Sequence, residues 1–148
     1  MTRTYELPIY KIQLIKDGNQ ISNRKQVTSP TVAADILKEM LSNQDREHFV
    51  IVLLNKKNHI TGINTVSIGS LDASIIHPRE VIKPAILANA AAVIFAHNHP
   101  SGDPTPSNED QTITKHLKNA LDLMAIEVKD HIIIGENCFF SFKEKGMI

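Results

Sequence analysis

The chain has 148 residues, a length at which one domain is expected, and 42% of it is hydrophobic, which is enough to build a core and excludes wholesale disorder. Sixteen Lys and Arg balance sixteen Asp and Glu, so the clustered cations that drive strong nonspecific binding to nucleic-acid phosphates are not indicated. The single cysteine, Cys138, excludes an intrachain disulfide and a cysteine-rich zinc site, and no apolar window suits a membrane span or a secretory leader. These features read as a soluble cytoplasmic protein with Cys138 buried as a small hydrophobe.

Alternating apolar residues from Tyr5 to Ile15, followed by Asp17-Gly18-Asn19, predict a strand and turn, with Pro8 favouring a sheet edge. Residues 1–27 are thus expected to extend the domain formed by residues 28–148. Ser29-Pro30 reads as a helix cap and first position, and Val32, Ile36, Leu37, Met40 and Leu41 recur at helical spacing up to Ser42-Asn43. His48 to Leu54 is an almost unbroken apolar run, as expected for a central strand buried on both faces. Ile60 to Ile68 returns as a second strand, and Gly69 opens a loop through Leu71 and Asp72 towards His77-Pro78.

A helix with Val81, Ile82, Ala85, Ile86 and Ala90 on its apolar face comes next, with Pro84 expected in its first turns. Ala91 to Ala96 is a third buried strand, leading into a loop shaped by three prolines and a glycine, His97 to Pro106. Ser107 opens a helix to about Met124, with Ile113, Leu117, Leu121 and Met124 as its core stripe. Glu127 to Ile134 and Cys138 to Phe142 form a closing hairpin. The short strand connections favour a mixed β-sheet flanked by helices, an α/β fold, over a doubly wound parallel one.

His97 and His99 are separated by one residue at a strand end, where period-2 geometry points both imidazoles to one face, and Pro100 keeps His99 extended. Two imidazoles are half of a catalytic zinc site, which takes a third protein ligand and leaves a fourth position to water. Asp110, in the first turn of the following helix, is the candidate third ligand, and the positive end of the helix favours a carboxylate there. Ser107-x-x-Asp110 equally fits a capping box. Hydrolysis also needs a proton carrier, for which Glu47, just ahead of the buried strand, is the candidate, although spacing alone does not separate it from Glu39, Glu80 or Glu109.

The run HNHPSGDPTPSNED, His97 to Asp110, resembles the JAMM metalloprotease signature of JAB1/MPN+ domains, specifically the RadC-like branch. Glu47 ahead of a hydrophobic strand, His77-Pro78-Arg79-Glu80 and Asp130-His131 extend the resemblance over about Pro30 to Ile148. It implies a JAB/MPN, cytidine-deaminase-like architecture with Zn2+ held by His97, His99 and Asp110. It further implies Glu47 as acid and base through a metal-activated water, and Ser107 as donor to the developing oxyanion. His77, Arg79, Asp130 and His131 match family features without an assigned role.

The implied activity is zinc-dependent hydrolysis of a peptide or isopeptide-type amide, with a peptide or protein substrate. Two rivals remain: a DNA-repair-associated factor acting on or near DNA, which the balanced charge does not support, and a non-catalytic scaffold. Larger RadC-like proteins carry an N-terminal helix-hairpin-helix region associated with DNA, for which the roughly thirty residues before the shared domain are expected to be too short. The edge-strand pattern of residues 5–15 suits either a monomer or a chain that pairs with a partner.

Overall fold

A computed structural model describes residues 1–69 and 76–148 of the chain. In order, the elements are α1 (Pro30–Leu41), β1 (His48–Leu54), β2 (Ile60–Ile68), α2 (Pro78–Leu87), β3 (Ala92–Asn98), α3 (Asn108–Leu123), β4 (Glu127–Ile134) and β5 (Phe139–Ser141). The loop expected through Leu71 and Asp72 lies outside the described residues.

The strands form one mixed sheet in the order β2-β1-β3-β4-β5. β1 runs antiparallel to β2 and β3, β3 and β4 are parallel across the α3 crossover, and β5 returns antiparallel to β4. This is the expected mixed α/β fold. The unbroken apolar run of β1 serves two cores at once. Phe49, Ile51 and Leu53 pack with Val93 and Phe95 against Val81 and Ala85 of α2 and Ile113, Leu117 and Leu121 of α3. Val50, Val52 and Leu54 pack with Ile94, Ala96 and Ile132 against Ala33, Ala34, Leu37 and Leu41 of α1. The sheet is therefore covered on both faces, which is why its central strands carry no polar alternation.

Local chemistry sets the helix starts. Ser29 Oγ accepts from the Val32 N–H at 3.2 Å, with Pro30 pre-set for the first turn of α1. α2 begins at Pro78, which puts Pro84 within its first two turns, as expected, where the buried ring packs despite the missing donor. Ile86, expected in the core, is 50% exposed. The α3 stripe closes at Leu121: the helix ends at Leu123, Ala125 turns the chain at φ 55°, and Met124 is left 48% exposed.

Two further expectations are corrected. Residues 5–15 form no strand: the segment is in no regular element and Tyr5, Leu7, Ile9, Tyr10, Ile12, Leu14 and Ile15 are exposed. Alternation makes a strand only where a neighbouring edge receives its N–H and C=O groups, and the arm first meets the sheet at an isolated bridge from Gln26 to His59. Cys138 is exposed at the end of the β4–β5 turn, because Ser141 and Phe142 take the buried positions that follow. Among the described residues, no helix is long and apolar enough to cross a membrane.

Candidate metal centre

β1 and β3 carry two of the relevant segments to one end of the sheet. In their antiparallel register Phe49 pairs with His97, so Glu47, just ahead of β1, and His99, just after β3, lie at the same end of the sheet. His97, on the same side of β3 as Phe95, is wholly buried where the sheet meets α3. His99 follows directly on the strand and points the same way: the two Nε2 atoms are 3.0 Å apart. Asp110 closes the group, with Oδ1 3.3 Å from His97 Nε2 and Oδ2 3.2 Å from His99 Nε2.

The loop between β3 and α3 is held in shape mainly by backbone. His99 N–H donates to the Ile134 carbonyl at 2.9 Å, and Gly102 N–H to the His99 carbonyl at 2.9 Å. Gly102 sits at φ 89°, a conformation natural to glycine, and its carbonyl accepts from the Glu136 N–H at 2.8 Å. That carbonyl lies where a Cβ on Gly135 would come within 2.4 Å, so the backbones of the turn after β4 and the loop after β3 approach too closely for a side chain at Gly135.

Ser107 then caps α3. Its Oγ accepts from the Asp110 N–H at 3.0 Å, while Asp110 Oδ2 accepts from the Ser107 N–H at 2.8 Å. The capping box and the three-residue group are thus the same structure. The cap orients the Asp110 carboxylate, and the free edge of that carboxylate faces the imidazoles.

The electrostatics follow from burial and proximity. Burial lowers the affinity of His97 for a proton, against the pull of Asp110. Hydrogen bonding to Asp110 raises that of the more open His99 against its own desolvation. For Asp110, burial alone would push the carboxyl up, but the attraction of His97 and His99 in their protonated forms overrides it and holds the group well below the usual carboxylate range. The charge of half-buried Glu47 is felt by both imidazoles and favours their cationic forms.

The donor set fits a divalent metal. His97, His99 and Asp110 each offer one ligand atom, all within 4.8 Å of one another. His99 Nδ1 lies 2.7 Å from the Asp103 carbonyl, which can only accept, so Nδ1 carries the proton and Nε2 presents its lone pair to the group. Two nitrogens and one carboxylate oxygen are the three-ligand set of an open catalytic site.

Residues 27–147 match the RadC-like JAB domain family. The chain belongs to this family. A UPF0758 protein of Caldanaerobacter subterraneus is 52% identical over 136 residues, 92% of this chain and 57% of its own length. UPF0758 proteins of Desulfitobacterium hafniense and Shouchella clausii are 48% and 50% identical over 125 and 123 residues, 84% and 83% of this chain and 55% and 54% of theirs. The chain therefore spans about half the length of the curated relatives it matches.

The structure also positions the remaining residues that match this RadC-like domain. His77 and Arg79 lie exposed at the start of α2. Asp130 is buried and ties β4 to the end of the chain: Oδ1 accepts from the His131 and Lys143 N–H groups and Oδ2 from the Ser141 hydroxyl at 2.6 Å. His131, also buried, touches the Nδ1 side of His97. Asn98, Thr114 and Gly135 were not singled out by the sequence pattern. The position of Asn98 between two candidate ligands was the one available hint, and Thr114 lies one helical turn beyond Asp110.

Proposed function

We propose that this domain is a zinc-dependent metallohydrolase that cleaves a peptide or isopeptide-type amide in a peptide or protein substrate. The observation that carries the reading is the convergence of His97, His99 and Asp110 at the rim of the sheet, with Glu47 just ahead of β1 and its charge felt by both imidazoles. A zinc ion held by the three ligands would supply Lewis acidity, polarising the scissile carbonyl and bringing the pKa of water towards about 7.

The chain's own groups supply the rest. Glu47 takes a proton from the attacking water as the new C–O bond forms and delivers it to the leaving nitrogen as the C–N bond breaks, a task suited to a half-buried carboxylate on a rigid strand end. The Ser107 Oγ lone pair is engaged by the Asp110 N–H, which leaves its hydroxyl proton available to the oxygen that gains charge. Capping and oxyanion donation are therefore compatible in one conformation.

A peptide-library digest with zinc-loaded protein tests the reading, with Glu47→Gln as control. Cleavage by the wild type that is lost in Glu47→Gln is the expected result. Cleavage of equal rate in both would overturn the assignment. The overall charge of zero gives a DNA-directed reaction less support, and a salt-dependent shift of duplex or single-stranded DNA would favour it instead.

A further inference from the structure

Behind the candidate ligands lies a chain of buried polar groups that the proposed reaction does not use. His97 Nδ1 is 2.7 Å from His131 Nε2, and His131 Nδ1 is 2.5 Å from Thr114 Oγ1. Thr114 Oγ1 is in turn 2.6 Å from the carbonyl of Asp110, one turn back along α3. His97, His131 and Thr114 are each at most 2% exposed, so no bulk water substitutes for a missing partner.

The direction of this chain is fixed from its far end. A carbonyl oxygen only accepts, so the single Thr114 hydroxyl proton lies towards Asp110. Thr114 Oγ1 then has only lone pairs to offer His131, and Nδ1 of His131 must be the protonated nitrogen. Phe142 stacks on the His131 ring at 4.8 Å, and Phe49 and Phe95 meet it edge-on at 5.7 and 5.9 Å, an apolar enclosure that suits an uncharged imidazole with one N–H. Its Nε2 is therefore an acceptor, Nδ1 of His97 donates to it, and Nε2 of His97 is left as a bare lone pair aimed at His99 and Asp110.

We propose that Thr114 and His131 are positioning residues that lock His97 in the tautomer able to bind a metal, with the backbone of the ligand Asp110 setting the direction of the whole relay. The inference rests on the metal-site reading above and deepens it. His97 and Asp110, which meet across the site at 3.3 Å, are also joined behind it through Thr114 and His131. Helix α3 thereby delivers a ligand carboxylate from one residue and the proton order of a second ligand from its next turn. Reversal of the relay would put a hydrogen on Nε2 of His97 and close the site to any cation.

The test combines nitrogen NMR of the metal-free protein with zinc affinity from competition against a chromogenic chelator. In the wild type, long-range proton–nitrogen correlations should show His97 and His131 both protonated at Nδ1. Thr114→Val keeps the side-chain shape but removes the acceptor. It should disturb the His97 tautomer and weaken zinc binding by about 10- to 100-fold, as loss of an outer-shell partner does. Thr114→Ser restores the hydroxyl and should restore both readouts.

A wild-type His97 protonated at Nε2, or Thr114→Val binding zinc as tightly as a zinc-binding wild type, would overturn the relay and leave the metal site standing. A wild type that binds no zinc would overturn the metal reading and this role with it.

Discussion

The amide of Asn98 grips the backbone on both sides of Glu47. Its Nδ2 donates to the Arg46 carbonyl at 3.0 Å and its Oδ1 accepts from the His48 N–H at 2.7 Å. The residue between the two histidines thus faces away from them and holds the carboxylate proposed to move the proton. Asn98→Ala strands a partly buried N–H and C=O, a loss of about 1–3 kcal/mol per group, and loosens Glu47. We expect zinc content to stay at the wild-type level while amide hydrolysis falls by about 10²-fold, the cost of a displacement near 1 Å. Metal analysis beside turnover checks this, and a variant that loses zinc and rate together would contradict it.

Ser107 has two tasks, and Ser107→Ala separates them. Loss of the cap should lower stability by about 1 kcal/mol, seen in denaturant unfolding. Loss of the oxyanion donor should lower turnover by about 10²–10³-fold, less completely than Glu47→Gln or loss of a ligand. Equal, near-wild-type turnover in all three variants would remove the mechanism.

Gly135 is held by sterics: a Cβ there would sit 2.4 Å from the Gly102 carbonyl and 2.9 Å from Pro104 Cδ. Gly135→Ala must push the β3–α3 loop away from the β4–β5 turn, at a cost of about 1–3 kcal/mol. Because that loop carries His99 and leads to Asp110, zinc affinity should fall as well. Calorimetric titration with zinc reads the effect, and unchanged affinity would show that the loop is positioned without this contact.

Asp130 gives the fold a pH dependence. Burial raises its carboxyl above the ordinary value of 3.8, only partly offset by hydrogen bonds from Ser141 and the Lys143 and His131 backbone. The folded chain therefore holds this proton where the unfolded chain has released it. The group's stabilising contribution is complete below the unfolded value and is lost as pH rises through the folded one. Asp130→Asn abolishes that slope, so its stability relative to wild type should improve in urea unfolding as pH rises above the ordinary carboxylate value of 3.8. A difference that is flat with pH would contradict the assignment.

Much of this architecture could be read from residue pattern. β1, β2 and β4 occupy the spans their apolar runs predict, and α1 starts at the predicted cap, because both faces of the sheet are buried and Ser29-Pro30 is a strong local signal. The His97, His99 and Asp110 grouping was legible from strand period, a proline-ordered loop and the resemblance of the whole motif. Tertiary context governed the misses. The arm at residues 5–15 has a strand's alternation and no edge to pair with, and Cys138 falls on a turn that hydrophobicity scales do not see. The roles of Asn98, Thr114 and His131 arise from contacts 17 to 52 residues apart along the chain, to which no local spacing points.

Elemental analysis of metal in the purified wild type beside His97→Ala tests the central claim most directly. The account predicts close to one zinc ion per wild-type chain and loss of that zinc from a folded His97→Ala. Equal zinc in the two proteins, or none in a wild type reconstituted with zinc, would contradict it.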